Sequence, residues 1–248
     1  MRIATFNMRH GGGSAAWAKV LEATAADLVF AQETRDPSDF LAEITESFGF
    51  SSATWAVVPS RQRARWGSAV LSTANAIDEV PVPGFAGWVV GGRLALGWTE
   101  IFAFSVHIPT RKGAGYLEQC ERLVDRLRRI VAGAPVVLGG DWNVTVGHRR
   151  PDETKQNTRS ELRLLARLRA ELGVVPAWST FHPQAHLPQT LRWVCDPLPP
   201  YHCDGIFLPE GWAPRIRSVE VLAGEEWERL SDHNPVVVEV AEGEAVSP

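Results

Sequence analysis

Eight polar residues of the types that perform acid–base and metal chemistry follow or border apolar runs in this 248-residue chain. Apolar runs of this kind are typical of buried strands, and the end of such a strand can deliver polar side chains into a cleft. We therefore expect these side chains to project from strand ends rather than from unrelated loops. The eight are Asn7, Glu33, His107, Asp141, Asn143, Asp204, Asp232 and His233.

The chemistry of this set is that of hard oxygen donors with two imidazoles. It suits a divalent cation such as Mg²⁺ that keeps several waters, and the histidines suit proton transfer or charge stabilisation at a phosphate. Each residue alone has an ordinary structural explanation: a stretch such as Val136–Asn143 could be a strand that ends in a polar turn. Only their occurrence together favours a site.

Alternating elements are predicted to position these residues. The N-terminal third of the chain reads as a strand at Arg2–Asn7, a helix capped by Ser14, a strand at 28–31 and a helix starting at Asp36–Pro37. Residues 50–107 predict strands without a helix. These strands are 53–58, 66–72, 76–82, 87–91, 93–98 and 101–107.

The second half starts with the best-defined amphipathic helix, 116–131, which leads into the strand of the VVLGGDWN stretch. Thr158 to Glu161 fits a capping box, whereas the proline-rich segment 176–200 gives no prediction. Further strands are predicted at 203–208, 216–222 and 235–240. Without a repeat or linker, residues 1–241 are predicted to be one domain, with an acidic tail at 242–248.

Composition limits the class of protein. Hydrophobic residues make up 45% and charged residues 22%, which is typical of a globular fold, and the net charge of −4 gives no global basic field. No apolar run reaches the length of a signal peptide or membrane span. We expect a soluble cytoplasmic protein without stable membrane association. An odd number of cysteines then indicates reduced thiols at Cys120, Cys195 and Cys203.

Seven short motifs occur in an order that resembles one known family. They are TFN (5–7), AQET (31–34), WGSAVLST (66–73), SVHIPT (105–110), GGDWN (139–143), CDGIFLP (203–209) and SDHNPV (231–236). The chain is similar to the endonuclease/exonuclease/phosphatase superfamily, which includes deoxyribonuclease I-like enzymes, abasic-site endonucleases, neutral sphingomyelinases and inositol-polyphosphate phosphatases. The resemblance implies an α/β (α+β) fold, a four-layered α/β/β/α sandwich of two mixed, mainly antiparallel sheets flanked by helices.

The resemblance also implies a metal centre and an attacking water. Glu33 corresponds to the main metal-binding carboxylate, with Asn7 close to it and Asp232 as a further metal-site acid. The implied cofactor is Mg²⁺, with Mn²⁺ as a substitute. Asp141 corresponds to the group that positions or deprotonates the water, and Asn143 to a neighbour that orients the phosphate.

Two histidines complete the implied catalytic set. His233 corresponds to the histidine that contacts the scissile phosphate, and Asp204 to the carboxylate that fixes its tautomer. His107 could protonate the leaving oxygen, although the sequence shows no acidic partner for it. The division of acid and base roles and the number of metals remain open. Trp142 replaces a more common phenylalanine, and strand alternation predicts that it points into the core while Asp141 and Asn143 face the cleft.

Basic residues follow several of these strand ends and predict a locally positive rim. We expect Arg35, Arg65, Arg111 and Arg149 to bind substrate, because arginine-rich loops hold phosphates by bidentate contacts. Lys155 and Arg159 are better explained as solvated loop charges beside acidic neighbours.

The leading hypothesis is a monomeric Mg²⁺-dependent phosphodiesterase that acts on nucleic acid. An alternative is a phosphatase or phospholipase C-type hydrolase of inositol phosphate or a sphingomyelin-like lipid, and another is a non-catalytic phosphate-binding module. A separate zinc site in the proline-rich region is a minor alternative because its spacing fits no standard pairing. Its ligands would come from His182, His186, Cys195, His202 and Cys203.

Overall fold

A computed structural model describes residues 1–59, 65–74, 76–96, 98–110, 113–193 and 200–243. Within these ranges the chain forms twelve strands and six α-helices. In chain order they are β1 (Arg2–Asn7), α1 (Ser14–Thr24), β2 (Leu28–Thr34), α2 (Leu41–Phe48), β3 (Ser52–Val57), β4 (Gly67–Ser72), β5 (Asp78–Glu79), β6 (Val89–Leu96), β7 (Thr99–His107), α3 (Tyr116–Val131), β8 (Val136–Asp141), α4 (Arg159–Leu172), β9 (Val174–Pro176), α5 (Ala177–Phe181), β10 (Asp204–Pro209), β11 (Ile216–Val221), α6 (Glu225–Glu228) and β12 (Val236–Val240).

The strands form two six-stranded sheets. The first has the order β11-β12-β1-β2-β4-β3, and the second has the order β5-β6-β7-β8-β10-β9. Only the pairs β1/β2 and β7/β8 are parallel, and the other pairs are antiparallel. The sheets are therefore mixed and mainly antiparallel, as predicted.

Three hydrophobic clusters show how the layers stack. Alternate residues of β1 face opposite sides of the first sheet. Ile3 packs between the sheets, while Ala4 packs outward with Trp17 of α1. In the second sheet, Val137 faces the other sheet and Leu138 packs outward against α3 and α4. Because side chains alternate along a strand, each sheet buries both faces and the result is the four-layered α/β/β/α sandwich.

The contact between the sheets is especially close at Gly139 of β8. A Cβ atom at this position would lie 2.2 Å from the Phe30 ring of β2. Only a residue without a side chain allows the Phe30 ring to fill this part of the inner core.

Several predicted boundaries differ from the observed ones. The strands predicted at 87–91 and 93–98 are one strand, β6, because Gly91 and Gly92 lie close to neighbouring backbone instead of forming a turn. The strand predicted at 76–82 is reduced to Asp78–Glu79. The proline-rich segment contains α5, which was not predicted, and α1 is preceded by Gly13 rather than capped by a Ser14 side chain. The capping box at Thr158 and Glu161 is present.

Candidate active site

The inner faces of the two sheets bring polar strand ends together at one edge. In β1 the inner positions Ile3 and Thr5 lead to Asn7, and in β8 the inner positions Val137 and Gly139 lead to Asp141. His107 pairs in register with Asp141, and so does Asp204 from the antiparallel strand β10. Strand alternation therefore aims all these side chains at the same space between the sheets.

A buried Asp–His pair lies at the centre of this space. Nδ1 of His233 is 3.0 Å and 2.9 Å from the two carboxylate oxygens of Asp204, and both residues are buried. Nε2 of His233 lies 3.9 Å from Oδ2 of Asp141 and 4.0 Å from Oδ1 of Asp232. The Asp204 carboxylate thus orients the ring and leaves Nε2 facing the cleft.

Electrostatics favour the charged form of His233. Burial opposes protonation, but the nearby carboxylates of Asp204, Asp141 and Asp232 outweigh it and raise the pKa of His233 to about 10. For Asp141, burial and then repulsion from Asp204 raise the pKa of the carboxyl, while His233 and His107 oppose this shift. The centre therefore holds a cationic imidazole among crowded carboxylates.

Asn7 connects the two sheets at this edge. Its Nδ2 atom lies 3.3 Å from Oε1 of Glu33 in the first sheet and 3.1 Å from Oδ2 of Asp141 in the second. Glu33 sits where β2 shifts register against β4, with φ of 52°, in the left-handed region that non-glycine residues rarely adopt. Irregular backbone thus turns this carboxylate into the cleft.

Asn143 shows the same unusual backbone, with φ of 53°. Its N–H donates to Oδ1 of Asp141 at 2.9 Å, and its Nδ2 donates to the Ile108 carbonyl at 3.1 Å. Trp142, between them, points the other way into the outer core against Phe207, as predicted. Strained conformations of this kind cluster at functional sites.

His107 is buried beside these groups but lacks a dedicated acidic partner, in agreement with the sequence. Its Nε2 lies 3.6 Å from Oε1 of Glu33 and 3.9 Å from Oδ2 of Asp141, and its Nδ1 has no hydrogen bond within the described residues. Burial lowers the pKa of His107 to about 4, against an opposing effect of Asp141. The imidazole is therefore neutral at pH 7.

Two half-buried tryptophans form a wall beside His107. The ring centroids of Trp66 and Trp88 lie 5.6 Å and 4.9 Å from the His107 ring, and these tryptophans meet edge to face at 5.4 Å. His10 packs on Trp66 at 4.7 Å, and its Nδ1 lies 2.8 Å from Oε2 of Glu33. This Trp66–Trp88–His10 group was not predicted as part of the site.

The donors in this cleft fit a hard divalent cation. The carboxylates of Glu33 and Asp141 meet at the Asn7 side-chain amide, and those of Asp204, Asp141 and Asp232 lie within 4.0 Å of the cationic His233 ring. This excess of negative charge favours a bound cation, and oxygen ligands suit Mg²⁺ or Mn²⁺. Asp232 is half-buried, and Arg9 approaches it at 3.7 Å.

The predicted substrate-binding arginines do not all lie on one rim. Arg35 and Arg65 are exposed, at the end of β2 and next to Trp66, whereas Arg111 lies outside the described residues. Arg149 was predicted to lie on the positive rim, but this environment is wrong because its side chain is only 1% exposed. Its guanidinium is 2.8 Å from Glu153 and donates to the Pro200 carbonyl at 2.8 Å, so it supports a loop.

The segment 189–192 holds the two halves of the Asp–His pair together. Thr190 is buried, and its hydroxyl accepts the backbone N–H groups of Cys203 and Asp204 at 3.0 Å each. Arg192 donates to the carbonyls of Ser231 and His233 and to the Asn234 side chain. Sequence reasoning missed this role because the segment lies in the proline-rich region, where periodicity gives no signal.

The alternative zinc site does not form within the described part of the chain. His182 contacts the Val219 carbonyl, His186 pairs with Asp152, and His202 contacts the Pro188 carbonyl. Cys203 instead lies near Asp141 and His233, and Cys195 falls outside the described residues.

A family model for the endonuclease/exonuclease/phosphatase family matches residues 4–233, nearly the whole chain. The chain belongs to this family. Membership of the endonuclease/exonuclease/phosphatase family makes the protein a hydrolase of phosphoester bonds, and members of the family are typically metal-dependent. No curated protein matches the sequence at a significant level.

Solved structures of endonuclease/exonuclease/phosphatase enzymes share the fold. A Neisseria 3′ phosphatase bound to a product DNA hairpin has a TM-score of 0.71 at 18% identity, covering 98% of this chain and 100% of its own. An AP endonuclease from Archaeoglobus fulgidus has a TM-score of 0.71 at 19% identity, covering 97% and 99%. A 3′–5′ exonuclease from Neisseria meningitidis has a TM-score of 0.70 at 19% identity, with the same coverage.

None of the helices in the described ranges combines the length and hydropathy needed to cross a membrane.

Proposed function

We propose that this protein is a Mg²⁺-dependent phosphodiesterase that hydrolyses the backbone of DNA. The observation that carries the proposal is the continuous contact from Asp204 through His233 to Asp141, and from Asp141 through Asn7 to Glu33. These contacts support the proposal because they bring a cationic donor, a buried carboxylate and a second carboxylate together at one edge of the sheets, which is the set of groups that phosphoester hydrolysis requires.

In this proposal His233 binds the scissile phosphate. Its Nε2–H donates to a non-bridging oxygen, and its positive charge stabilises the charge that develops as the phosphorus becomes five-coordinate. Asp204 keeps the proton on Nδ1 and holds the ring in place. The raised pKa of His233 keeps this donor charged over the whole neutral range.

Asp141 holds the attacking water. Its Oδ1 accepts the Asn143 N–H and its Oδ2 accepts from Asn7, so both oxygens are held in place. Oδ2 is the oxygen that faces Nε2 of His233, and its remaining lone pair can accept a proton from the water. Burial raises the pKa of this carboxyl, which makes it a stronger base than an exposed aspartate. Asn143 directs a phosphate oxygen from the same turn. His107 is neutral at pH 7, so it can donate a hydrogen bond to the leaving oxygen but does not protonate it.

The metal would be held by Glu33, Asn7 and Asp232. A bound Mg²⁺ supplies charge neutralisation at the phosphate and orients it for attack in line with the leaving oxygen. His10, close to Glu33, fixes one oxygen of that carboxylate. Mn²⁺ has similar ligand preferences and should substitute.

A nucleic-acid substrate is supported by the surface around the cleft. The half-buried Trp66 and Trp88 offer apolar ring surface next to His107, and Arg9, Arg35 and Arg65 are exposed around the same strand ends. Stacking and arginine–phosphate contacts are the usual means of holding a strand. The AP endonuclease and DNA-bound phosphatase among the similar structures support DNA in particular. We further propose a monomeric cytoplasmic enzyme.

The test is a cleavage panel with purified protein in Mg²⁺, Mn²⁺ or EDTA. Substrates are supercoiled DNA, DNA with an abasic site, a hairpin with a 3′-phosphate, RNA, inositol phosphates and sphingomyelin. Variants D141N and H233Q should lose at least about 10²-fold in rate, whereas the controls D78N and H186Q, at exposed positions, should not. Cleavage that persists in EDTA or in both variants contradicts the mechanism, and cleavage of the lipid alone contradicts the DNA assignment.

A further inference from the structure

Cys203 is a thiol within the catalytic centre. It precedes Asp204 at the start of β10, is 5% exposed, and its Sγ lies 3.5 Å from Oδ2 of Asp204. The thiol has no part in the mechanism proposed above, and it is the one soft donor found among the hard oxygen ligands of the described site. A sulfur donor at this position prefers a softer ion than Mg²⁺.

Three different donor types meet at this point. A sulfur of Cys203, a carboxylate oxygen of Asp141 and a ring nitrogen of His233 all lie within 4.8 Å of one another. In a tetrahedral zinc site with Zn–S near 2.3 Å and Zn–N or Zn–O near 2.0 Å, ligand atoms lie about 3.3–3.6 Å apart. Side-chain shifts of about 1 Å would bring the three atoms to that spacing.

The surroundings of His233 match those of a zinc-bound histidine. Its Nδ1 is held by the Asp204 carboxylate, so that Nε2, which faces Asp141, is the nitrogen that can bind a metal. A carboxylate that orients the distal nitrogen is the common arrangement behind histidine ligands of zinc. Three protein ligands leave a fourth position for water.

Cys203 lies next to a cavity. It lines a space of about 320 Å³ together with Asn143, Tyr116 and His202. Asn143 also donates its backbone N–H to Asp141, so this cavity adjoins the proposed zinc ligands.

We propose that Asp141, Cys203 and His233 form a second metal site, selective for Zn²⁺ and similar thiophilic ions, whose occupation inhibits the enzyme. Two protons leave to solvent as zinc binds, one from the Cys203 thiol as the sulfur–zinc bond forms and one from Nε2 of the cationic His233 as the nitrogen–zinc bond forms. Thiolate favours zinc, while the oxygen ligands Glu33, Asn7 and Asp232 favour Mg²⁺, so each ion has its own set of donors and zinc can bind while Mg²⁺ is present. Inhibition follows because zinc occupies the oxygen that holds the water and the nitrogen that donates to the phosphate, a consequence that rests on the proposed function.

Metal binding is tested first, by a measurement that does not depend on enzyme activity. Protein stripped with EDTA is titrated with Co²⁺, which reports a thiolate ligand by a sulfur-to-cobalt charge-transfer band and tetrahedral geometry by intense visible bands. We expect wild type and the control variants C120A and C195S to show the charge-transfer band, and C203S to lose it. A band that survives in C203S, or is absent from wild type, overturns the proposal.

X-ray absorption of the zinc-loaded wild-type protein provides a second measurement that needs no variant. One sulfur at about 2.3 Å, with the other ligands near 2.0 Å, is expected. A first shell of oxygen and nitrogen alone overturns the proposal even if C203S fails to fold.

Inhibition is then measured as the Zn²⁺ concentration that halves the Mg²⁺-supported cleavage of DNA, relative to each variant's own rate without zinc. That concentration should rise at least about tenfold in C203S and stay unchanged in C120A and C195S. Equal inhibition of wild type and C203S contradicts the inhibitory role. If the cobalt band is present but no phosphoester is cleaved, the proposed function fails and the metal site stands.

Discussion

Nδ1 of His233 lies 2.9 Å from Oδ2 of Asp204, and the two buried side chains come from elements 29 residues apart in the chain. Neither residue can reach the other without the pairing of β10 with β8 and the turn before β12. The contact fixes the tautomer of the histidine and its charge together, because the carboxylate both accepts the Nδ1 proton and stabilises the cation.

The first prediction concerns the negative charge of Asp204. In D204N the His233 ring loses its anionic partner, so its pKa should fall from about 10 and the rate of DNA cleavage should drop by about 10²–10⁴-fold. NMR titration of the His233 imidazole measures the first effect and kcat measures the second. The matched control D152N disrupts the exposed His186–Asp152 pair and should change neither. A normal kcat in D204N contradicts the role of the pair.

The second prediction concerns Arg192, whose guanidinium holds the backbone of the Ser231–Asn234 loop. R192A should lower kcat while leaving KM nearly unchanged, and should reduce stability by about 1–3 kcal/mol because acceptors lose a charged donor. R192K should recover part of kcat, since it keeps the charge but cannot reach all three acceptors. The exposed arginine variant R217A is the control. If R192A lowers stability but not kcat, the residue supports the fold only.

The third prediction separates two arginines that looked alike in sequence. R149A removes one partner of a buried ion pair, leaving Glu153 uncompensated, and should lower the free energy of unfolding by about 3–5 kcal/mol. R35A removes an exposed charge, so it should leave stability unchanged and raise KM for DNA in low salt. Urea unfolding and salt-dependent kinetics distinguish them. Equal effects of both variants on KM would contradict the assignment of Arg149 to loop support.

The fourth prediction is an acid-dependent loss of stability caused by His202. Burial, reinforced by the charge of Arg149, lowers the pKa of His202 to about 4 although its ring bonds to the Pro188 carbonyl. Between pH 6.5 and pH 4 the unfolded chain binds a proton that the folded chain does not, so stability falls as pH falls through this window. The loss from this group should reach roughly 3 kcal/mol at pH 4.

This contribution can be isolated in H202N, which keeps a side-chain donor for the Pro188 carbonyl but cannot titrate. Unfolding free energies measured by urea at several pH values should fall less steeply for H202N than for wild type below pH 6.5. Parallel curves would show that His202 is already protonated in the folded protein. His107 titrates in both proteins and therefore cancels in the comparison.

The fifth prediction concerns Trp142, which is fully buried and whose Nε1 has no hydrogen-bond partner within the described residues. W142F removes this unsatisfied donor while retaining an aromatic ring, so it should cost less than about 1.5 kcal/mol. W142A opens a cavity and should cost about 3–5 kcal/mol. Thermal unfolding measures both. A large loss in W142F would mean that the indole nitrogen is bonded after all.

Sequence periodicity predicted what depends on single strands and helices. The burial of Trp142 on the side opposite Asp141 was predicted from strand alternation, although β8 ends at Asp141 and Asn143 has a left-handed backbone. Helix 116–131 was predicted from its apolar stripe. Contacts between distant segments left no such signal. The burial of Arg149 depends on Glu153 and the Pro200 carbonyl, and the environment of Cys203 depends on the pairing of β10 with β8. The resemblance to a family suggested the pairing of Asp204 with His233, which periodicity could not.

The aromatic wall and the strand irregularities were missed for similar reasons. Trp66 and Trp88 lie 22 residues apart and meet only because β4 and β6 belong to different sheets that face each other. Gly91 and Gly92 indicated a turn, yet the strand continues because neighbouring backbone occupies the space of their missing side chains. A glycine pair can form a turn or allow close packing within a continuous strand, and the neighbouring backbone decides which of the two occurs.

The missing side chain at Gly139 has a consequence for the spacing of the catalytic groups. Asn7 must reach from one sheet to Asp141 in the other, and the 3.1 Å bond between them allows little variation in the gap. Phe30 against Gly139 acts as the spacer that sets this gap, two residues before Asp141. A methyl group at position 139 would push the two sheets apart. The distance between Asn7 and Asp141 is therefore set by packing inside the hydrophobic core, away from the substrate.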